Sequence, residues 1–167
     1  AFGQFLDGLT VTDPKRLLLI NLAQVPQRWF DPQIARLGRY HLYPPTGLLY
    51  IAAVARMVKP HLDVRILDLN FETLRLSHSD HFDYDAWKGL LAKELDNHGS
   101  THVGISAMFN FTLENYFEVA EFIDGNYPEV PIVVGGVQAS YEYDRILNNS
   151  ACDMVVRKEG ELQFGNF

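Results

Sequence analysis

The chain has 167 residues, 47% of them apolar, 13% aromatic and 21% charged, which is the make-up of one soluble globular domain able to bury a full core without staples. Its 14 Lys and Arg stand against 21 Asp and Glu, a formal charge of −7 with no dense basic stripe, which argues against a nucleic-acid partner. The single cysteine, Cys152, excludes an internal disulfide and a multi-cysteine metal cage, and no apolar run approaches about 20 residues, so no membrane span is expected.

Residues 1–16 are aperiodic, with Gly3, Gly8 and Pro14, and read as an N-terminal arm without the basic start and apolar core of a signal peptide. A cytoplasmic, reducing location is the expectation. Leu17-Leu18-Leu19-Ile20 is a continuous apolar run, as in a parallel strand covered on both faces. A long loop over 22–45 follows, with Pro26, Pro32, Gly38, Pro44 and Pro45; connections above about 15 residues are commonly functional. The spacing of Leu48, Leu49, Ile51, Ala52, Ala55 and Met57 predicts a helix from Thr46 to Val58, stopped by Pro60.

Val64 to Leu69 reads as the second strand, followed by a polar loop through His81. Within it, His78-Ser79-Asp80-His81 reads as a solvated tract rather than a metal site. A helix over Tyr84–Asn97 ends at Gly99, and Val103-Gly104-Ile105-Ser106 is the third strand. Thr112 is placed as the cap of a helix over Leu113–Asn126, closed by Pro128. The acids of that stretch, Glu114, Glu118, Glu121, Asp124 and Glu129, read as a solvated face. Ile132-Val133-Val134 is the fourth strand and runs into Gly135-Gly136. A short helix over Tyr143–Asn148 precedes the fifth strand, Asp153 to Val156, with Cys152 as a buried small residue.

Strands and helices thus alternate. The pattern predicts an α/β fold, a Rossmann-like or flavodoxin-like doubly wound parallel sheet of five strands in the order 2-1-3-4-5, with right-handed crossovers. Ligands of such sheets bind outside the carboxyl ends of the strands, where the strand order reverses. The unusual residues of this chain stand at those ends. Tyr43-Pro44-Pro45-Thr46-Gly47 follows strand one, Ser106-Ala107-Met108-Phe109-Asn110 follows strand three, Gly135-Gly136-Val137-Gln138-Ala139-Ser140 follows strand four, and Glu159-Gly160-Glu161 follows strand five.

Paired glycines let backbone lie against a ligand where a Cβ would collide. The Ser106 hydroxyl offers a donor and acceptors beside an apolar wall, and Thr46-Gly47 at a helix start presents backbone N–H groups. Asp68 ends strand two, where a ribose-binding acid would sit in a dinucleotide fold, but no G-x-G-x-x-G follows strand one. A phosphate-binding G-x-x-x-x-G-K-[ST] and a nucleophile-elbow G-x-S-x-G are missing too. No residue is assigned a catalytic or metal-ligating role.

The residues quoted resemble the cobalamin-binding domain that precedes the catalytic barrel of many radical S-adenosylmethionine enzymes. The likeness runs through Pro44-Pro45-Thr46-Gly47-Leu48-Leu49-Tyr50-Ile51-Ala52, Asp68, Val103-Gly104-Ile105-Ser106, Pro131-Ile132-Val133-Val134-Gly135-Gly136, and Asp153-Met154-Val155-Val156 with Glu159-Gly160-Glu161, in the order of that family over residues 17–164. Ser106-Ala107-Met108 is similar to the S-x-L of cobalamin-dependent mutases. The resemblance implies that Ser106 and Gly135-Gly136 line the slot for the dimethylbenzimidazole nucleotide tail, and that Tyr43–Gly47 lies near the corrin face.

Two departures refine what it implies. The D-x-H-x-x-G motif, whose His ligates cobalt in mutases, is absent: His41 has the wrong spacing to Gly47. Base-off cobalamin without histidine ligation is therefore expected, suited to methyl-carrier rather than mutase chemistry. Gln138 stands where the radical family often has His. The C-x-x-x-C-x-x-C cluster motif is missing as well, because Cys152 stands alone. The 4Fe-4S cluster and S-adenosylmethionine would belong to a radical barrel in cis or in trans, with residues 165–167 as the start of the connection to it. Two other readings remain open: a degenerate domain that binds no cofactor and serves docking or substrate recruitment, and a receiver-like or small-ligand module of the same topology.

Overall fold

Side chains alternate across a strand, so Leu17 and Leu19 face one side of β1 (Arg16–Asn21) while Leu18 and Ile20 face the other, and all four are buried. The computed structural model describes residues 14–148, 151–158 and 160. β2 (Asp63–Asp68) and β3 (His102–Ser106) flank β1, β4 (Ile132–Gly135) pairs with β3, and β5 (Met154–Val155) pairs with β4. Every pairing is parallel and the order is β2-β1-β3-β4-β5, the flavodoxin-like order expected from the sequence.

The two faces are covered unequally. On one, α2 (Thr46–Val58) packs Leu48, Ala52 and Ala55 against Leu17, Leu19 and Val64. On the other, Leu18, Ile20, Val103, Ile105, Ile132 and Val134 meet α4 (Ala86–His98) through Trp87, Leu91 and Leu95. They also meet α5 (Leu113–Asn126) through Leu113, Tyr116, Val119, Ala120 and Ile123. Each such Leu or Ile contributes about 2 kcal/mol on burial, so the larger core dominates stability and leaves the α2 face free to carry a ligand.

Several elements differ from the sequence expectations. The long loop after β1 is partly ordered: Gln27–Trp29 forms a 3-10 turn and Pro32–Arg36 forms α1. Asp31 caps α1, its Oδ1 accepting from Gln33 N at 2.7 Å, and Pro32 sits at the first helical position, where its missing N–H costs nothing. The polar stretch after β2 opens with α3 (Leu69–Leu76), because Asp68 Oδ1 accepts from Phe71 N at 3.0 Å. His78 to His81 form an exposed turn beyond it.

Tyr84 stays out of α4. Asp83 holds Asp85 N on its carboxylate (3.0 Å) and Ala86 N on its carbonyl (3.2 Å), a turn that sends the Tyr84 hydroxyl to donate to Val25 O at 2.7 Å. Thr112 does not cap α5. Its hydroxyl donates to Phe109 O at 2.7 Å and closes a 3-10 turn over Asn110–Thr112. The residues after Gly136 are helical rather than loop, as α6 (Val137–Tyr141), followed by α7 (Tyr143–Leu147). Cys152 is half-buried, and Arg16, read as part of an arm, opens β1. The rest of the expected arm (1–13), Glu159, and Glu161 with the expected connection at 165–167 lie outside the described residues.

Polar side chains fasten the loop after β1 to the helices. Asn70, buried at the start of α3, accepts from Gln24 N (3.0 Å) and donates to His41 O (3.4 Å), joining both ends of that loop. Asn115 of α5 donates to Ala23 O at 2.6 Å. These bonds fix where Tyr43 to Thr46 stand.

Two outcomes follow from these contacts. Asp68 also accepts from Asn21 Nδ2 at 2.9 Å, so Asp68→Ala removes a helix cap and leaves that amide unpaired. A loss of about 1–2 kcal/mol is expected, read as a lower urea midpoint at unchanged slope. The second concerns His98, buried at the end of α4, with Nδ1 2.8 Å from Ser100 Oγ and Nε2 3.3 Å from Asp63 Oδ2. Burial holds its pKa below the ordinary 6.5 against the opposing pull of Asp63 and Glu94, with Arg65 adding to the lowering. Above 6.5 both folded and unfolded rings are neutral; as pH falls through 6.5 the unfolded chain takes a proton that the folded ring resists, so stability declines until the folded pKa is passed. Denaturation midpoints between pH 7.5 and 5.5 should fall less in His98→Gln than in the parent.

Candidate functional site

At the carboxyl ends of β1, β3, β4 and β5 lie two cavities, of about 620 Å³ and 320 Å³, which share Gly47, Leu48, Ser106 and Met108 as common wall. The larger is floored by Leu19, Gly104 and Val133, which stand in register across β1, β3 and β4 on the face that α2 covers. The next row outward on that face is Asn21, Ser106 and Gly135. Gly104 makes the floor possible. A Cβ there would come within 2.7 Å of Leu19 Cδ2, so any side chain would push Leu19 out of place.

Gly47, Leu48 and Ile51 of α2 form one wall of the larger cavity, and Val137, Ser140 and Tyr141 at α6 form the other. Val156, Arg157, Lys158 and Gly160 close its end. Gly136 has φ 105°, and a Cβ on it would lie 2.6 Å from Ala107 O, so the chain can turn there only with glycine. That close approach extends the β3–β4 pairing past the sheet: Ala107 N donates to Gly135 O at 2.8 Å and Gln138 N donates to Ala107 O at 3.0 Å. Gly47 faces open space, and the first-turn amides of α2 at Gly47 and Leu48 have no acceptor within the helix.

The smaller cavity is a rim site lined by Tyr43, Pro44, Pro45 and Thr46, with Phe109, Asn21 and Gln24 opposite. Its surroundings are apolar and wet at once. Tyr43 is 58% exposed and stacks on His41 with 5.5 Å between centroids, while Phe109 stacks on Phe111 at 5.2 Å. Ionisable groups with shifted pKa lie away from both cavities. Burial raises the hydroxyls of Tyr84 and Tyr116 and the thiol of Cys152, and burial with the nearby Glu114 and Asp85 raises Glu118. The cleft is lined by backbone amides, hydroxyls, apolar side chains and the cations Arg157 and Lys158.

Most residues expected at the site are brought together. Tyr43, Pro44, Pro45, Thr46 and Phe109 line the rim cavity, Gly135, Gly136, Val137 and Gly160 line the deeper one, and Gly47, Ser106 and Met108 line both. Ala107 and Ala139 are buried beneath the wall rather than on it, and Gln138 is half-buried without lining either cavity. Asp68 stands apart, its Oδ1 engaged by Asn21 and Phe71. Glu159 lies outside the described residues. Sequence reasoning passed over Leu19, Gly104, Tyr141, Arg157 and Lys158 as lining residues. A glycine inside a strand signals a close approach and could have given Gly104; nothing in the local pattern marks the other four.

The chain matches the B12 binding domain family over residues 33–167. It is 30% identical over 125 residues to the cytidylyl-2-hydroxyethylphosphonate methyltransferase of Streptomyces wedmorensis, a match that takes in 72% of this chain and 23% of that protein. It thus spans about a quarter of the length of that relative. Among solved structures, a cobalamin-binding protein of Desulfitobacterium hafniense DCB-2 superposes with a TM-score of 0.54 at 10% identity, over 89% of this chain and 55% of that one. That likeness is one of fold. The family match spans well over half the chain, through both walls of the cleft, and the chain belongs to the B12-binding domain family.

Proposed function

We propose that the larger cavity takes the dimethylbenzimidazole nucleotide tail of base-off cobalamin and that the rim around Tyr43–Gly47, Met108 and Phe109 faces the corrin. The observation that carries this reading is the side-chain-free floor at Gly104, where a Cβ would stand 2.7 Å from Leu19 Cδ2, at the base of a cavity of about 620 Å³ that adjoins a rim of Tyr43, Pro44, Pro45 and Phe109. The residues suit such a ligand. Ser106 and the α2 amides can hydrogen-bond a planar base and its sugar, Gly135-Gly136 lets the backbone approach, and the stacked aromatics of the rim suit a wide macrocycle. Of the residues expected to bind, Tyr43 to Gly47, Ser106, Met108, Phe109, Gly135, Gly136, Val137 and Gly160 touch this space, and Asp68 supports it from the side by holding Asn21.

Bound there, cobalamin would supply a cobalt centre able to carry a methyl group or an electron. The chain's own part is to bind the cofactor, orient it and leave one face open. His41 stands outside a D-x-H-x-x-G spacing, which favours a cobalt without histidine ligation. A radical S-adenosylmethionine barrel, in cis or in trans, is the proposed recipient. The methyltransferase relative, of which this chain matches 23%, supports methyl transfer as the wider activity.

The test is direct. After mixing with hydroxocobalamin and desalting, the protein should retain corrinoid near one equivalent, with an absorption maximum shifted to shorter wavelength as the base leaves cobalt; a colourless protein would point instead to a cofactor-free docking domain. Gly104→Val, which forces Leu19 into the slot, should weaken retention at least tenfold while far-ultraviolet circular dichroism stays that of the parent. Unchanged affinity in that variant would remove the slot from the account.

A further inference from the structure

Two charged residues line the cavities among the described residues, Arg157 and Lys158, and both are cations in a chain of net charge −7. Lys158 is also the one non-glycine described residue with positive φ, at 63°. A long L side chain gains nothing from that conformation, and such outliers persist where the surroundings impose them, often at ligand sites. Here the surroundings are the far end of the deeper cavity: Lys158 N donates to Ser140 Oγ at 2.8 Å, which anchors the turn to α6. The neighbouring Arg157 guanidinium lies 4.1 Å over the Tyr143 ring, which fixes where that second cation stands.

We infer that Arg157 and Lys158 form an anion subsite that receives the phosphodiester of the ligand's nucleotide tail. This rests on the cobalamin reading and adds to it what the closed end of the slot recognises. The ligand's corrin and base are uncharged at their edges, and its phosphodiester is the fixed anion, so two cations, with no lining carboxylate among the described residues, match that one group. The subsite makes the protein selective for corrinoids that carry a complete nucleotide tail. Because the contact is one between opposite charges, the preference is sensitive to salt.

The experiment compares two corrinoids on the whole chain by absorbance titration: hydroxocobalamin, and aquocobinamide, which has the same ring but no nucleotide or phosphodiester. Lys158→Gly removes the charge and suits φ 63°, so its thermal midpoint should equal or exceed that of the parent. Lys158→Gly and Arg157→Gln are each expected to weaken hydroxocobalamin about tenfold, to leave aquocobinamide within twofold of the parent, and to blunt the loss of hydroxocobalamin affinity on raising sodium chloride from about 50 to 500 mM. A double variant that binds hydroxocobalamin as tightly as the parent overturns the subsite and leaves the cobalamin reading standing. Equal weakening toward both corrinoids also overturns it, since the cations would then act on the ring. If the parent binds neither corrinoid, the cobalamin reading fails and the subsite goes with it.

Discussion

Position 104 lies in the middle of the sheet, in register with Leu19 on β1 and Val133 on β4, and it carries no side chain. Leu19 keeps its place because of that gap: a Cβ at 104 would stand 2.7 Å from Leu19 Cδ2. Packing in a protein interior is dense enough that such a gap is normally filled from one side or another. Here it is kept open and widens toward the carboxyl ends of the strands, past Ser106 and Gly135, into a cavity of about 620 Å³.

The unequal covering of the sheet makes the gap affordable. Ile20, Val103, Ile105 and Val134 anchor α4 and α5 on one face, and that core holds the strands in register without help from the other side. On the α2 face, Leu48 and Ala52 pack on β1 and β2 and stop short of β4 and β5. α2 serves twice, closing the smaller core with one set of residues and walling the cleft with Gly47, Leu48 and Ile51. Asn70 and Asn115 then fasten the loop after β1 at Gln24, His41 and Ala23, the His41 bond lying two residues before Tyr43 on the rim.

Much of this was legible in the sequence, for identifiable reasons. Runs such as Leu17–Ile20 and Ile132–Val134 can be little else than parallel strands covered on both faces, and with helical spacing over Thr46–Val58 and Leu113–Asn126 they gave the order of elements and hence the sheet. The rim loops were legible because glycine, proline and serine sit at strand ends, where topology puts ligands. Short helices were missed where a capping side chain decides the matter: Asp31 before Pro32 and Asp68 before α3 act through single hydrogen bonds that periodicity does not register. Thr112 failed as a cap because its hydroxyl had a nearer carbonyl to donate to. The lining roles of Leu19 and Lys158 come from register and from one backbone angle, both long-range properties that no local window contains.

A tail lodged in the Gly104 slot cannot also coordinate cobalt, and His41 lacks the D-x-H-x-x-G spacing of a cobalt ligand. Electron paramagnetic resonance of the protein loaded with cob(II)alamin reports this without reference to affinity, since an axial nitrogen splits each cobalt line into three. The account predicts unsplit lines in the protein-bound spectrum beside the threefold pattern of free cob(II)alamin at neutral pH. Threefold splitting in the bound sample would place a nitrogen on the metal and contradict base-off cobalamin held without histidine ligation.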